Sequence, residues 1–326
     1  MKNIFITGGG GYVGSMLSEE LIANGYNVTV YDLMIYKIHN FIKSDKLKII
    51  KGDLRDKKLL EKSLKSQDVV IHLACISNDP SFDLNPSLSK SINLDSFEPL
   101  VIYSKNSGVK KFIYASSSSV YGIKNEQNVV ETMELKPLTD YSKYKAMCEE
   151  ILLKHTSSDF TSCILRPATV CGFSKRQRFD LVVNLLTNLG YTNKKITVYG
   201  GDQLRPNIHI KDMIEAYKKI IEIKDELING EIFNVGYENQ TVNEIASNVK
   251  KILGDNISII KQKTDDNRSY HISSEKIKNL INFMPKYSVD DAILDLKNSF
   301  DNKLFHSSLT NEEYFNIKKM QNLNIK

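Results

Sequence analysis

A tyrosine followed four residues later by a lysine is the pattern in this sequence with the clearest capacity for acid–base chemistry. The pattern occurs at Tyr141/Lys145, Tyr191/Lys195 and Tyr314/Lys318. Residues four apart lie on the same face of a helix. A tyrosine with a pKa of about 10 is a poor base at neutral pH, and a nearby ammonium group favours its phenolate. Only Tyr141 begins a long predicted helix after a serine-rich strand end, at 115–122, so its position singles out this pair.

Three glycines near the start of the chain have the spacing of a dinucleotide-binding turn. Gly8, Gly11 and Gly14 give a G-x-x-G-x-x-G pattern between a predicted strand and a predicted helix. Such a turn needs glycine because the backbone approaches a pyrophosphate closely and the helix N-terminus faces the anion. The next predicted strand ends at Asp32, close to the spacing of roughly 20 residues expected for the acid that binds a ribose. A carboxylate there repels a 2′-phosphate, so the sequence favours NAD over NADP.

The elements that must position these residues alternate between apolar strand-like runs and helix-like segments, which predicts a parallel sheet with helical crossovers. Strands are predicted over residues 2–7, 27–32, 47–51, 69–73, 111–116 and 162–170, and helices over 14–24, 89–106 and 141–155. The third strand runs into Asp53 and Leu54, and the fourth into Leu73 and Ala74. Both ends lie at the edge where such a sheet binds ligands. We therefore expect an α/β fold with a doubly wound parallel sheet of the Rossmann type.

After residue 170 this regular alternation breaks down, which indicates a smaller C-terminal α/β lobe. Helices are predicted over 180–189, over 211–223 and from 241, and strands over 196–199 and 231–235. The sequence is interpreted as an NAD-binding Rossmann domain over 1–170, to which the chain returns near 230–236. Residues 171–326 are interpreted as a lobe that mainly binds the substrate. No element is predicted in the polar tail after about residue 300.

Composition argues against several other classes of protein. The 326 residues are 41% hydrophobic, and no apolar run reaches the roughly 18–20 residues that span a bilayer. A strand-like run begins directly after Met1 and leaves no room for a signal peptide, so we expect a cytoplasmic protein with no membrane partner. The formal charge is +5 with lysines spread along the chain, so no nucleic-acid partner is expected. The four cysteines lack metal-ligand spacing, so no metal is predicted.

Seven motifs occur in an order that resembles the extended short-chain dehydrogenase/reductase family, and within it the nucleotide-sugar epimerase/dehydratase branch. They are TGGGGYVG, GDLRD, HLAC, SSSSVYG, YSKYK, LRPATVCG and RPNIHIKDM, and they cover nearly the whole chain. The resemblance implies that Ser117, Tyr141 and Lys145 form a catalytic trio. The tyrosine takes a proton from a sugar hydroxyl as hydride leaves the same carbon, usually C4, for NAD. Lysine holds the nicotinamide ribose, and serine positions the hydroxyl.

The strand ends and the resemblance together assign residues to two binding sites. The predicted cofactor contacts are Gly8, Gly11, Tyr12, Val13, Gly14, Asp32, Asp53, Leu54, Leu73, Ala74, Ser116, Tyr141, Lys145 and Pro167. The predicted substrate contacts are Ser77, Ser117, Ser118, Thr169, Arg178, Asn184, Arg205 and Arg268. Arg205 and Arg268 are expected to clamp the diphosphate of a nucleoside-diphosphate sugar, because guanidinium forks suit that group. Thr169 stands where the family often has asparagine. The resemblance also implies a homodimer through the helices near 89–106 and 141–155.

The serine-rich segment bears on which reaction follows oxidation. Sugar-nucleotide 4,6-dehydratases carry Thr-Asp-Glu where this chain has Ser117-Ser118-Ser119, which disfavours dehydration. Two reactions remain possible. A 4-epimerase reduces the ketone again, whereas a 4-dehydrogenase releases it. The segment 172–184 resembles a bacterial subgroup of sugar-nucleotide epimerases. Part of that subgroup resembles GDP-heptose C4-dehydrogenases of surface-polysaccharide pathways, which suggests a GDP-manno-heptose as the substrate.

Three further interpretations are kept as alternatives. A 4,6-dehydratase or a 4-keto reductase of the same family would use the same fold and cofactor. An inactive NAD-binding regulatory relative is disfavoured because Tyr141 and Lys145 are both present. A reductase of small carbonyl compounds is disfavoured by the long C-terminal lobe and by the paired arginines Arg205 and Arg268.

Overall fold

Seven parallel strands form the main sheet of the protein. The computed structural model describes residues 2–36, 41–124, 126, 128–264, 269 and 271–323. The strands in these ranges are β1 Asn3–Thr7, β2 Asn27–Asp32, β3 Leu47–Lys51, β4 Val69–His72, β5 Lys111–Ala115, β6 Thr161–Pro167, β7 Thr169–Cys171, β8 Lys195–Tyr199, β9 Leu204–His209, β10 Glu231–Val235, β11 Glu238–Thr241 and β12 Ser258–Gln262. The helices are α1 Tyr12–Ala23, α2 Lys57–Leu64, α3 Asp79–Asp83, α4 Pro86–Lys90, α5 Phe97–Asn106, α6 Asp140–His155, α7 Val182–Asn193, α8 Ile210–Glu222, α9 Val242–Leu253, α10 Glu275–Ile281, α11 Val289–Asp301 and α12 Asn316–Gln321.

The order of the strands opens a crevice at one edge of the main sheet. The order is β3-β2-β1-β4-β5-β6-β10, and every neighbouring pair is parallel. The connections therefore change direction between β1 and β4. In sheets of this kind ligands bind outside the carboxyl ends of the strands at that point. Because β10 pairs with β6, the chain returns to the main sheet after it has built the smaller lobe.

Apolar side chains cover both faces of the sheet, as in other buried parallel sheets. Ile4 and Ile6 of β1 pack on one face with Leu17 of α1. Phe5 points to the opposite face, where it packs in a cluster with Leu152 of α6. Since successive residues of a strand point to opposite sides, a strand buried on both faces is a continuous apolar run, and this is why β1 and β4 were recognisable in the sequence.

The smaller lobe contains two short sheets and its own core. One sheet has the order β11-β9-β7 and the other pairs β12 with β8. Helices α7, α9 and α11 pack around these strands through side chains that include Val183, Ile245 and Ile293. In the described part of the chain, no helix combines the length and the apolar character needed to cross a membrane.

The predicted strand over 162–170 is wrong in one respect, because the structure divides it between two sheets. β6 ends at Pro167, which has no N–H to continue a ladder. The N–H of Ala168 donates to the carbonyl of Val235 at 2.8 Å, and Thr169 then pairs with Asn207 of β9. The helix predicted over 89–106 is likewise interrupted, by a π-helical turn at Ser91–Asp95.

Candidate active site

The crevice of the main sheet forms a cleft of about 350 Å³. Predicted site residues that line it are Gly8, Gly11, Tyr12, Val13, Gly14, Asp32, Asp53, Leu54, Leu73, Ala74, Ser77, Ser116, Ser117, Ser118, Tyr141, Lys145, Pro167, Thr169 and Arg178. They come from the carboxyl ends of six strands and from the start of α6. The fold therefore brings together residues that the sequence places up to half the chain apart.

The glycine turn forms a tight cradle between β1 and α1. Gly8 has a φ of +73°, and a Cβ there would lie 2.5 Å from the backbone nitrogen of Ala74. A Cβ at Gly14 would lie 2.3 Å from the carbonyl oxygen of Gly8. Any side chain at these two positions would force the turn apart, and Gly11 caps the N-terminus of α1. The exposed backbone and the helix N-terminus fit the pyrophosphate of a dinucleotide.

Asp32 lies at the end of β2, on the same side of the cleft as the cradle. Its two carboxylate oxygens accept hydrogen bonds from the N–H groups of Gly10 at 2.9 Å and Met34 at 2.7 Å. Burial raises the pKa of Asp32, and the two backbone hydrogen bonds partly offset this effect. Each oxygen keeps a second lone pair that can accept a ribose hydroxyl. The cradle and this carboxylate thus fit NAD.

Ser117, Tyr141 and Lys145 converge at the centre of the cleft. Ser117 follows β5 and caps a short 3₁₀ turn, where its Oγ accepts the N–H of Ser119 at 3.1 Å. Tyr141 lies in the first turn of α6, behind a capping box formed by Thr139. One turn later the Lys145 ammonium donates to the Ala115 carbonyl at 2.6 Å and lies 5.8 Å from the centroid of the Tyr141 ring.

The surroundings of Tyr141 keep its phenol protonated in the protein alone. Burial raises the pKa of Tyr141 well above its usual value, and the nearby Cys75 and Asp79 add to the effect. Arg178 and a hydrogen bond with Ser117 act in the opposite direction. The Tyr141/Lys145 spacing predicts that Lys145 lowers this pKa. The structure identifies Arg178 as a positive charge that lowers it.

A second, smaller cavity of about 190 Å³ adjoins the catalytic residues. Tyr141, Ser117 and Thr169 line this cavity as well as the main cleft. Arg205 and Asp79 also line it, so it presents charges of both signs and several hydroxyl groups. A polar cavity next to a tyrosine base suits a group that carries many hydroxyls. Arg268, the other predicted diphosphate ligand, lies outside the described residues.

Asn184 is the predicted substrate contact that the structure does not bring to either cavity, and this assignment is corrected. Its side chain is fully buried. The amide oxygen accepts the N–H of Gly172 at 2.9 Å, and the amide nitrogen donates to the Tyr12 hydroxyl at 3.0 Å and to the Arg178 carbonyl at 2.9 Å. Because both ends of the amide already have protein partners, Asn184 holds the cleft wall in place.

A buried ion pair that the sequence argument missed supports the catalytic segment from behind. Nη2 of Arg166 on β6 lies 2.6 Å from a carboxylate oxygen of Glu149 on α6, and both side chains are 3% exposed. Glu149 also accepts a hydrogen bond from the hydroxyl of Ser116, and Arg166 Nη1 donates to the Tyr121 hydroxyl at 2.8 Å. The pair thus joins α6, β6 and both ends of the serine-rich segment.

Other residues that line the main cleft were also missed, among them Tyr36, Arg176 and Asn316. The scarcity of arginine, six residues among the 44 lysines and arginines, is the signal that could have drawn attention to Arg176. Nothing in the sequence distinguishes Asn316, because α12 reaches the cleft from a polar tail only in the folded chain.

The glycine cradle, the Asp32 carboxylate beside it and the convergence of Ser117, Tyr141 and Lys145 are the features expected of a dinucleotide-dependent enzyme of the short-chain dehydrogenase/reductase type. Comparison with known proteins identifies it further. The chain belongs to the NAD dependent epimerase/dehydratase family, which it matches over residues 4–236. It is accordingly an NAD-dependent enzyme of the nucleotide-sugar epimerase/dehydratase kind.

Relatives with different reactions share this fold. A UDP-glucose 4-epimerase of Lactobacillus helveticus is 27% identical over 312 residues, which cover 89% of this chain and 94% of the relative. A dTDP-D-glucose 4,6-dehydratase of Dictyostelium discoideum is 31% identical over 282 residues, covering 79% of this chain and 63% of the relative. The structure of a UDP-glucuronic acid 4-epimerase from Bacillus cereus, in complex with UDP-glucuronic acid and NAD, is 26% identical and superimposes with a TM-score of 0.83, over 93% of this chain and 100% of that one.

Proposed function

We propose that the protein oxidises C4 of a nucleoside-diphosphate sugar, as a 4-dehydrogenase or as a 4-epimerase. The observation that supports this most directly is that Ser117 and Tyr141 face both cavities, the cleft that fits NAD and the polar cavity beside it. A sugar in the smaller cavity would present a hydroxyl to both side chains. The predicted division into a Rossmann domain over 1–170 and a mainly substrate-binding lobe over 171–326 is part of this proposal.

Each residue of the trio has a separate task in this reaction. NAD, when bound, supplies the acceptor for the hydride that leaves the sugar carbon. Tyr141 removes the proton of the hydroxyl on that carbon, which general base catalysis requires. Ser117 donates a hydrogen bond to the oxygen that becomes the ketone, and the Lys145 ammonium holds the cofactor ribose. The Arg178 guanidinium favours the phenolate of Tyr141. Arg205 and Arg268 are proposed to bind the diphosphate of the substrate.

The identity of the sugar is proposed from the segment at 172–184. It resembles a bacterial subgroup of sugar-nucleotide epimerases, and part of that subgroup resembles GDP-heptose C4-dehydrogenases. This resemblance supports a GDP-manno-heptose as the substrate and the synthesis of a bacterial surface polysaccharide as the setting. We place this reaction in the cytoplasm, where nucleotide sugars are made. The threonine at 169, in the position of the usual asparagine, lines both cavities and is consistent with an uncommon sugar.

A second candidate, 4,6-dehydration, gains support from Asp79. The serine-rich segment lacks the Asp-Glu step of the dehydratases, but Asp79 brings a carboxylate to the cavity that Tyr141 and Ser117 line. Its Oδ1 accepts a hydrogen bond from the Thr139 hydroxyl at 2.6 Å. A carboxylate beside the sugar could serve the proton transfers that elimination of water needs.

The proposal is tested by adding GDP-, UDP-, CDP- and dTDP-sugars, GDP-manno-heptose included, to the enzyme with NAD while the absorbance of reduced nicotinamide is recorded. Products are then analysed by mass spectrometry and NMR. A lasting rise in absorbance means a 4-dehydrogenase, and an epimer without a net rise means a 4-epimerase. A product that has lost water supports the second candidate. Failure to convert any nucleotide sugar, by an enzyme that binds NADH, would contradict the proposal.

A further inference from the structure

Arg176 differs from Lys175 and Arg178, the other basic residues of its loop, because no carboxylate of the described residues contacts it directly. The side chain lines the main cleft, although it is only 4% exposed. On one side of it in sequence, Lys175 pairs with Glu19 at 2.5 Å. On the other side, Arg178 pairs with Asp180 at 2.8 Å. Within the described ranges Arg176 makes no such ion pair, and its Nε is buried without a hydrogen-bond partner.

A buried cation without an ion pair destabilises the folded protein when no ligand is bound. Burial is the main cause that lowers the pKa of Arg176, to about 10, and the nearby Arg178 contributes, while Tyr36, Asp180 and Glu313 only partly offset this effect. Charged groups withdrawn from water are retained where they are paired or where they meet a ligand. An unpaired donor that faces a binding cleft therefore points to an anionic partner that arrives with the ligand.

The contacts of Arg176 place its guanidinium across the crevice of the main sheet. On one side it lies 3.5 Å from the centroid of the Tyr36 ring, just beyond β2. On the other side Nη2 donates to Asn316 Oδ1 at 2.5 Å, and Asn316 Nδ2 donates to Ser77 Oγ at 2.7 Å. Ser77 follows β4, and β1 lies between β2 and β4 in the sheet. A group held between these two strand ends crosses the end of β1, where the glycine turn begins.

We propose that Arg176 binds the diphosphate of a nucleotide in the main cleft, on the side opposite the glycine cradle. Its Nε, together with Nη donors not used by Asn316, suits the planar, multidentate recognition of phosphate oxygens. The cofactor and the nucleotide sugar both carry a diphosphate. Binding to the cofactor does not depend on the proposed function, whereas binding to the sugar nucleotide rests on it.

Tyr36 and Asn316 are positioning residues for this guanidinium. The Tyr36 hydroxyl donates to the same Asn316 oxygen at 3.0 Å, so the ring, the amide and the guanidinium form one connected group. Asn316 also donates its backbone N–H to Asp180 at 3.1 Å, which fixes α12 to the wall of the cleft. The C-terminal tail thus completes a nucleotide site whose other lining residues lie between residues 8 and 217.

The test compares nucleotides with the matching nucleosides on the full chain after bound nucleotide has been removed. Binding of ADP, adenosine, UDP, uridine, GDP and guanosine is measured by titration calorimetry for the native protein and for Arg176→Met. Loss of a charge-assisted contact should weaken binding of the diphosphate about 10- to 100-fold and leave the nucleoside within about twofold. An effect confined to ADP assigns Arg176 to the cofactor, and one confined to UDP or GDP assigns it to the substrate.

Matched variants separate this role from a structural one. Lys175→Met removes the same charge from the same loop. Because Lys175 is exposed, this variant should leave ADP binding unchanged. For the diphosphate whose binding Arg176→Met weakens, Asn316→Ala should weaken binding less, and the double variant should bind it no worse than Arg176→Met alone, because both act through one contact. The Tm of the nucleotide-free Arg176→Met protein should not fall, since a buried charge that forms no ion pair is removed. Unchanged diphosphate binding, or a lowered Tm with equal loss of nucleoside binding, would overturn the proposal.

Discussion

Two opposite charges act on the phenol that the mechanism needs as a base. Asp79 disfavours the phenolate of Tyr141 and Arg178 favours it. Asp79 lines the smaller cavity, and Arg178 lines the main cleft. The protonation of Tyr141 is therefore set at the boundary between the two cavities, where the reacting hydroxyl would lie.

This arrangement predicts shifts of opposite sign in the pH dependence of the reaction. Since the phenolate is the active form, activity rises with pH as Tyr141 loses its proton. Asp79→Asn removes a negative charge, lowers the pKa of Tyr141 and should move this rise to lower pH by about one unit. Arg178→Gln removes a positive charge and should move it to higher pH. The measurement is the pH profile of kcat/KM.

The control for these variants is Asp140→Asn, which is adjacent to Tyr141 in the chain. Asp140 pairs with Lys143 at 3.1 Å, and its variant should leave the profile in place. Shifts in the same direction for Asp79→Asn and Arg178→Gln would contradict the electrostatic account of the base.

Residue patterns predict a site correctly where all the residues that form it lie in one short stretch of the chain. The glycine turn is such a stretch, because Gly8 and Gly14 contact each other within one turn. Asp79 was not identified, since its approach to Tyr141 depends on how α3 packs beside α6. Asn184 was misassigned for the same reason, because the sequence does not show that its amide is occupied by Tyr12 and Gly172.

At the scale of elements, the Glu149–Arg166 pair holds α6, the helix that carries Tyr141, against the sheet. Glu149 lies on α6, two turns beyond Tyr141, and Arg166 lies on β6. Both side chains are 3% exposed, so neither charge can be solvated if its partner is lost. The orientation of α6 relative to the serine-rich segment thus depends on a buried pair.

Breaking this pair should destabilise the protein. Glu149→Gln leaves the Arg166 cation without a counter-charge and should lower the free energy of unfolding by about 3–5 kcal/mol. The double variant Glu149→Met/Arg166→Met removes both charges and should be clearly more stable than Glu149→Gln. Urea denaturation measures both effects.

The control is Glu275→Gln at the exposed Lys278–Glu275 pair, where little change is expected because surface pairs contribute little. Equal losses for Glu149→Gln and the double variant would show that packing volume, rather than charge, determines stability at this place.

Strands buried on both faces could be predicted from the sequence, and irregular connections could not. β1, β2 and β4 are short runs of apolar residues, which leave few alternatives to a buried strand. By contrast, the division of 162–170 at Ala168 depends on Val235, which accepts the Ala168 N–H from a distant strand. Because such a break depends on pairing between distant parts of the chain, local strand propensity does not predict it.

At the scale of the whole molecule, the sheet, the smaller lobe and the tail meet at one cleft. Arg176 comes from the loop after β7, Asn316 from the tail and Tyr36 from the end of β2, and they contact one another. No sequence motif could predict this group, because its three members become neighbours only through the complete fold. The tail therefore belongs to the nucleotide site.

Two chains are proposed to associate through α5 and α6. Ile102 of α5 is 38% exposed and Met147 of α6 is 45% exposed, so apolar side chains remain uncovered on both helices. Met147→Glu should convert a dimer into a monomer because a charge would be buried in the interface. Multi-angle light scattering after gel filtration measures the mass.

Leu294→Glu provides the control, since Leu294 on α11 is similarly exposed at 42% but lies away from the proposed interface. It should leave the dimer intact. A native protein that is monomeric at micromolar concentration would contradict the proposed association.

The central claim, that Tyr141 is the base of an NAD-dependent oxidation of a nucleotide sugar, is tested most directly by rapid-mixing absorbance of reduced nicotinamide. Native enzyme with NAD and its nucleotide sugar should form reduced nicotinamide, transiently or lastingly. Tyr141→Phe should still bind added NADH. With NAD and the nucleotide sugar, it should form reduced nicotinamide about 10²- to 10⁴-fold more slowly than the native enzyme. Tyr191→Phe, at another tyrosine four residues before a lysine, should behave as the native enzyme because Tyr191 contacts Asp301 far from the cleft. Formation of reduced nicotinamide by Tyr141→Phe at the native rate would contradict the account.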